Sequence, residues 1–343
     1  MISISVAMAT YNGEKYIQKQ LDSLAAQSQI PSELVITDDN SQDNTVRVIE
    51  AFSKTVSFPI KVYRNETRLG YRANFMRATS LCRAELVALC DQDDYWYPNK
   101  IAETIKPFLD PEVLLAYHNA DVVTGEDRPI GSLARRAAKQ TVVAPLSSGP
   151  WPYALGFTQV FRRSLLRLSD QWPRSQDGYG QLLAHDQWFF FLASVFGKIA
   201  YVDERLADYV QHGSNTYGWH KTSYWQAVKF FLRRRSIEYN RCVVAAENRA
   251  DLLDHAKDNL EGIWTERAAS GAEYYRKVAS IYSKRSALYA ATNLSERLKA
   301  FRTVLAYDGY GGRWGLGRKS LITDMFVGVP IGHLLRSDTM WRT

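Results

Sequence analysis

The chain has 343 residues, of which 46% are hydrophobic, 13% aromatic and 23% charged, a size and balance that exclude a disordered polypeptide and fit one large or two ordinary domains. Three cysteines, Cys82, Cys90 and Cys242, exclude a disulfide framework and point to a reducing compartment. The net charge of +7 is uneven: residues 221–343 carry 21 Lys and Arg against 12 Asp and Glu, a balance of +9 that leaves −2 for residues 1–220, so the two parts are expected to do separate jobs.

The first six residues lack a basic stretch before an apolar run, so no signal peptide is expected. Residues 3–9 read as a first, central strand, followed by the turn Thr10-Tyr11-Asn12-Gly13. A helix then runs to about Gln27 with Ile17, Leu21 and Leu24 on one face. Residues 33–37 give a second strand ending in Asp38-Asp39. Ser41 is expected to cap the next helix, which carries Val46, Ile49 and Phe52. A third strand at 60–64 and a helix around 74–78 precede the run Glu85-Leu86-Val87-Ala88-Leu89, a short buried strand. Pro98 suits the first turn of a helix with Ile101, Ile105 and Phe108 inward, and residues 113–117 give a fifth strand.

Strand and helix alternate four times in the first 110 residues, which predicts an α/β fold with a mostly parallel sheet flanked by helices. Short loops after the strands bring Thr10, Asp38 and Asp91 to one rim, where such sheets bind ligands. Residues 125–153 read as a long loop or insertion over that rim, and 153–162 as a strand or the start of a helix. An apolar helix covers 182–196, and two short strands are expected at 197–202 and 206–210. The front domain is expected to span 1–220, with a basic, mainly helical region over 221–343. Two or three long helices fall between 240 and 306, one carrying Tyr274-Tyr275, Val278 and Ile281-Tyr282, and the glycines of 309–317 end them. The apolar run 325–335 is about half of a bilayer crossing and is broken by Gly328, Pro330, Gly332 and His333.

The chemistry concentrates at Asp91-Gln92-Asp93-Asp94. Carboxylates at the end of a buried strand call for a cation or strong donors, although such clusters also occur as solvated turns. Hard oxygen ligands two positions apart suit Mg2+ or Mn2+, ions commonly held by one or two carboxylates and a substrate's phosphates. Gly-x-Gly-x-x-Gly and the Walker glycine-lysine loop are both missing from the first turn. Asp38 or Asp39 can instead accept from the N–H of a base or from a ribose hydroxyl, with Asp91 and Asp93 reaching a diphosphate through a divalent ion. That combination points to a nucleotide-diphosphate ligand.

Ala9-Thr10-Tyr11-Asn12-Gly13, Asp38-Asp39-Asn40-Ser41 and Asp91-Gln92-Asp93-Asp94, followed by His185-Asp186-Gln187-Trp188 and Gln211-His212-Gly213-Ser214-Asn215, occur in the order found in family 2 glycosyltransferases. The chain resembles that GT-A-fold group over residues 1–220, and most closely its bacterial rhamnosyltransferases of surface-polysaccharide and O-antigen synthesis. The resemblance implies an inverting, metal-dependent transferase acting on a nucleotide sugar, with dTDP-rhamnose as donor and a saccharide or lipid-linked saccharide as acceptor. It implies that Thr10, Tyr11 and Asn12 line the nucleotide pocket, that Asp39 or Asp38 contacts the base, and that Asp91 and Asp93 bind ribose and metal-bound diphosphate. Asp93 is then the main metal ligand, with Asp91 and His212 beside it, and Asp186 is the catalytic base. Many relatives place Glu before that base where this chain has His185, which leaves open how the acceptor hydroxyl is held.

The residues support these roles independently. A sugar leaving a diphosphate builds charge that a divalent ion takes up, and the acceptor hydroxyl needs a base within about 3 Å. Asp186 stands near a helix N-terminus, which favours its carboxylate form, or it merely caps that helix. His185 is a contact to acceptor or diphosphate or a local hydrogen-bonding group, and Trp188 stacks on sugar or belongs to the core. Arg72 is expected to face the diphosphate, and Trp96 to shape the sugar pocket. Within the fold, a UDP- or GDP-hexose donor is the alternative. A nucleotidyltransferase would want a basic, glycine-rich loop where Thr10-Tyr11-Asn12-Gly13-Glu14 stands, and a non-catalytic module would have no use for Asp93 with Asp186. In the back part, Phe230-Phe231-Leu232 beside Arg233-Arg234-Arg235, with Trp225 and Tyr239, suits an anionic membrane surface or helix packing, including oligomer formation. No nucleic-acid motif accompanies the charge. A cytoplasmic protein, peripheral on the inner face of the cell membrane, is expected.

Overall fold

The structure, a computed structural model, describes residues 2–133, 141–170, 172–213, 235–314 and 316–335. The chain divides into two units. The first takes 1–145, 153–171 and 184–219; the second takes 146–152, 172–183 and 220–343. The short pieces 146–152 and 172–183 thus leave the front domain that the sequence suggests.

The first unit is built on one sheet of ten strands. β1 (Ile4–Thr10), β2 (Glu33–Asp38), β3 (Ile60–Arg64) and β4 (Leu86–Cys90) lie parallel in the order β3-β2-β1-β4. All residues of β2 and β4 are buried, which is why Leu34-Val35-Ile36 and Leu86-Val87-Ala88-Leu89 are apolar runs without alternation. α1 (Ile17–Ala25) buries Ile17, Leu21 and Leu24, as its spacing predicts. α2 (Thr45–Phe52), α3 (Tyr71–Ser80) and the short α4 (Lys100–Ile105) complete the alternation. Ile4, Val6 and Met8 of β1 join Leu21, Ile36, Ile49 and Ala88 in one core.

Beyond β4 the sheet departs from the expected pattern. β6 (Val113–Thr124) is twelve residues long, and β9 (Gln159–Arg162) inserts antiparallel between β4 and β6. The two strands expected at 197–202 and 206–210 are one, β10 (Lys198–Gln211), parallel to β6. Asp203-Glu204-Arg205 looks like a turn in sequence, but it is absorbed by shifts of register between Val202 and Asp208, with Glu204 and Arg205 exposed. β5 (Tyr95–Trp96) pairs with β10 at the edge. Within the region read as a long loop, β7 (Pro129–Ser132) pairs with β6 and β8 (Thr141–Val143) with β10.

Because β9 runs against both neighbours, the carboxyl ends of β1, β2, β4, β6 and β10 share one rim. Strand order reverses between β1 and β4, and that switch point opens a crevice at the rim. α5 (Ser164–Ser169) and the apolar α6 (His185–Phe196) follow β9.

In the second unit, α7 (Arg235–Lys257) packs along α8 (Ile263–Ala290), which buries Tyr274, Tyr275, Val278, Ile281 and Tyr282. The buried Arg249 donates to the Pro150 carbonyl and to Tyr275 Oη at 3.3 Å, and Trp151 Nε1 donates to Tyr282 Oη at 3.1 Å. These bonds hold 146–152 in this unit. α9 (Leu294–Ala306) is capped by Asn293, whose side chain accepts from Glu296 N–H at 2.8 Å. Among the described residues no helix is long and apolar enough to cross a membrane. Residues 225–234, with the Phe-Phe-Leu and arginine runs, lie outside the described residues, as do Ser214 and Asn215; Tyr239 is buried against Tyr282 and Tyr289.

Candidate active site

The turn after β1 and the loop after β4 are locked together. The Gln92 amide accepts from Tyr11 N–H at 3.0 Å and donates to Tyr11 C=O at 3.1 Å. A Cβ on Gly13 would stand 2.3 Å from Gln92 Oε1, so any other residue there would push the Gln92 amide out of these bonds. Asn12 holds the left-handed φ of 46° and donates its N–H to Ser41 Oγ at 2.9 Å. Ser41 is therefore a brace between the first two strand ends and not the cap of α2, which begins at Thr45 behind Asp43.

The two carboxylates after β2 divide their work. Asp38 is fully buried and accepts from Thr10 Oγ1 at 2.9 Å, Ser41 N–H at 2.8 Å and Ser41 Oγ. Its oxygens are committed to the turn, and it does not line the cleft. Asp39 reaches the cleft wall and accepts from Asn65 Nδ2 and the Leu69 and Gly70 N–H groups at 2.7–2.8 Å. Those bonds fix the loop that carries Arg68, whose guanidinium lies 4.0 Å over the Tyr11 ring.

Two clefts meet at the rim. The larger, about 470 Å³, is lined by Thr10, Tyr11, Asn12, Tyr16, Asp39, Arg68 and His212. The smaller, about 180 Å³, is lined by Tyr153, Phe157, His185, Asp186 and Tyr209. Tyr71, Phe75, Asp91 and Asp93 line both, so the acidic loop is the shared wall.

Burial, then the charges of Asp93 and Asp186, push the Asp91 carboxyl up to about 8. Asp93 Oδ2 lies 2.9 Å from His212 Nε2, and the His212 ring stacks on Tyr16 at 4.1 Å. Negative charge that the buried Lys100 offsets only in part, flanked by carboxylate oxygen and imidazole nitrogen donors, fits a divalent ion. Among the described residues no three His, Cys, Asp or Glu are gathered to hold a metal by themselves. An ion here would draw further ligands from a bound phosphate, as Mg2+ commonly does.

Asp186 is in the first turn of α6, and its Oδ1 accepts from Gln187 N–H at 2.8 Å. Burial pushes its carboxyl up to about 6, against that hydrogen bond, one from the Tyr153 hydroxyl and the charge of Arg72. The helix terminus therefore does not dominate, as the sequence suggested; desolvation wins. His185 is buried and stacks on Phe75 at 3.9 Å.

Three expectations change. Trp188 is fully buried and donates Nε1 to Ser169 Oγ at 2.9 Å, so it is a core residue and not a sugar platform. Trp96 is likewise in the core, beneath the Lys100 ammonium at 3.5 Å. Arg72 donates to Tyr71 Oη at 2.8 Å and acts on Asp186, while the arginine in the large cleft is Arg68. Sequence reasoning missed Arg68, Tyr153 and Lys100. Lys100 is fully buried, donates to Phe157 C=O at 2.6 Å, and is pushed down to about 7 by desolvation. Its place six positions after Asp94, beside the apolar Ile101 at the start of a helix, was the one available signal.

Residues 5–168 match the model of Glycosyl transferase family 2. An uncharacterized protein of Mycobacterium tuberculosis, Rv1520, is 30% identical over 239 residues, 67% of this chain and 64% of that protein. The chain therefore spans a little under two thirds of this relative's length. The dTDP-rhamnosyl transferase RfbG of Shigella flexneri is 27% identical over 222 residues, 62% of this chain and 73% of that protein. TarS of Staphylococcus aureus, a poly(ribitol-phosphate) beta-N-acetylglucosaminyltransferase, is 31% identical over 180 residues, 50% of this chain and 29% of that protein. The crystal structure of its residues 1–349 in complex with UDP-GlcNAc superposes with a TM-score of 0.55 at 20% identity, covering 89% of this chain and 81% of that one. The shared fold is GT-A, a mostly parallel sheet with helices, followed by a helical region.

Proposed function

We propose that this chain transfers a sugar from a nucleotide-sugar donor to a saccharide or lipid-linked saccharide acceptor in surface-polysaccharide synthesis, a reading supported by the match of residues 5–168 to the model of Glycosyl transferase family 2. One observation carries the reading. Asp186, raised toward neutrality, shares a small cleft with the acidic pair Asp91 and Asp93, which also walls the larger cleft.

The larger cleft takes the nucleotide. Tyr11 with Arg68 over its ring offers a face for the base, Asp39 and Thr10 stand at the wall, and Arg68 supplies positive charge toward the diphosphate. Asp93, with Asp91 and His212, would hold Mg2+ or Mn2+. Bound there, the ion acts as a Lewis acid on the leaving diphosphate. Asp186 takes the proton of the acceptor hydroxyl, and one carboxylate opposite the leaving group gives inversion. The Tyr153 hydroxyl holds that carboxylate's orientation. The transferase domain is the first unit, within residues 1–220, and the basic region 221–343 serves membrane or partner association at the inner face of the cell membrane.

For the donor we take dTDP-rhamnose, supported by the motif forms and by the likeness to the Shigella enzyme. A UDP-hexose is the second reading, favoured by the likeness to TarS, whose structure holds UDP-GlcNAc. Calorimetry with a panel of nucleotide sugars, each with Mg2+ or Mn2+ and then with EDTA, separates them. Metal-dependent preference for dTDP-rhamnose supports the first reading, and preference for a uridine donor replaces it. Binding to none would overturn the transferase assignment.

A further inference from the structure

The segment from Arg318 to Ile331 turns as one helical run, with α10 (Arg318–Thr323) followed by a wider turn at Asp324–Gly328 and a last turn at Val329–Ile331. Its burial is inverted relative to an ordinary surface helix, whose bulky apolar side faces the core. The inward stripe is Asp324, Gly328, Gly332 and Leu335. A Cβ on Gly328 would meet Leu288 and Tyr289 at 3.0–3.2 Å, so this stripe is pressed onto α8. Asp324 is fully buried and accepts from Arg285 Nε at 2.6 Å and Nη2 at 2.9 Å, from Tyr289 Oη at 2.6 Å and from Tyr310 Oη at 2.8 Å. That clamp dictates which face turns out. The outward face carries Ile322, Met325 and Phe326, at positions i, i+3 and i+4, with exposures of 56%, 45% and 65%.

Charge indicates what covers it. Between residues 309 and 335 the sole acidic residue is Asp324, which is buried, while Arg313, Arg318 and Lys319 are exposed. A symmetric contact with a second copy would set these cations against one another with no carboxylate of the segment to answer them. We infer that this helix is a docking surface for an anionic lipid bilayer, with Ile322, Met325 and Phe326 entering the headgroup boundary and Arg318 and Lys319 facing acidic headgroups. The helix lies on the surface and does not cross it. The inference stands on this segment and not on the sugar-transfer chemistry of the sheet rim.

The test is co-sedimentation of the full chain with vesicles of phosphatidylcholine alone and of phosphatidylcholine mixed with phosphatidylglycerol. Binding is expected only to the mixed vesicles and is lost in high salt. Phe326→Glu, at a largely exposed position, should keep the circular dichroism of the parent and lower partition roughly tenfold. Arg318→Gln with Lys319→Gln should lower it about fivefold for each charge removed. Equal binding to both vesicle types, or parent-like binding by Phe326→Glu, overturns the inference. So does a dimer in analytical ultracentrifugation that Phe326→Glu dissociates, which would give the face to a second copy.

Discussion

Asp91 and Asp324 are both aspartates drawn into the protein, one at the sheet rim and one in the helical unit, and their surroundings are opposite. Asp324 has an arginine fork and two tyrosine hydroxyls on its oxygens. Asp91 faces two further carboxylates that the charge of Lys100 answers only in part, and its carboxyl is pushed up to about 8. A buried charge with its partners built in is structural, whereas one whose partner must arrive from outside marks a place where a ligand binds. Asp38, committed to Thr10 and Ser41, and Asp39, committed to Asn65, Leu69 and Gly70, are both of the first kind, and they differ in that Asp39 lines the cleft.

That contrast can be broken or sharpened by substitution. Asp186→Asn removes a base and little else, so transfer should fall by ~10²–10⁴-fold. Donor affinity by calorimetry should stay within a small factor; loss of donor binding in a folded variant would remove Asp186 from the role of base. Arg285→Met strands a buried carboxylate and should cost about 3–5 kcal/mol in urea unfolding. Donor affinity of the molecules still folded should be unchanged, and a large loss there would erase the distinction between the two aspartates. Asp93→Asn should weaken metal-dependent donor binding by roughly ten- to a hundredfold, as a lost charge-assisted contact of ~1.5–3 kcal/mol requires. Equal affinity with metal and with EDTA would exclude it as a ligand.

The smallest effects concern pH. A base pushed up to about 6 is ionised above that value, so kcat/KM should rise with pH through 6 and then level off. The Tyr153 hydroxyl lowers the Asp186 value, so Tyr153→Phe should move the midpoint upward by less than the shift that burial causes. A midpoint near the ordinary carboxylate range, unmoved by Tyr153→Phe, would show that Asp186 is not the titrating group.

Local pattern carried the alternating front half well. β1, β2 and β4 and the helix α1 bury the apolar residues whose spacing marked them, because a central parallel strand needs an apolar middle and a helix must present a stripe. The acidic loop, the Thr10 turn, Asp186 and His212 were likewise legible, since chemistry-bearing residues at strand ends are few and conspicuous.

Elsewhere the answer was nonlocal. Nothing in Gln159-Val160-Phe161-Arg162 says that it will wedge between β4 and β6, or that Asp203-Glu204-Arg205 will bulge within one strand instead of ending it. Trp188 and Trp96 could not be divided between pocket and core by spacing, because both fates use the same apolar side chain. Arg68, Tyr153 and Lys100 act through partners 57, 33 and 57 positions away, at Tyr11, Asp186 and Phe157. The inverted helix near the C-terminus is the sharpest case. Its sequence reads as an apolar run about half the length of a bilayer crossing, and the clamp of Arg285, Tyr289 and Tyr310 on Asp324 decides that the large side chains face out. Sequence by itself determined the elements and the kinds of chemistry on offer, since period and residue type are local. Tertiary structure decided which charges are answered and which are left open, because burial and partner distance exist only once distant segments meet.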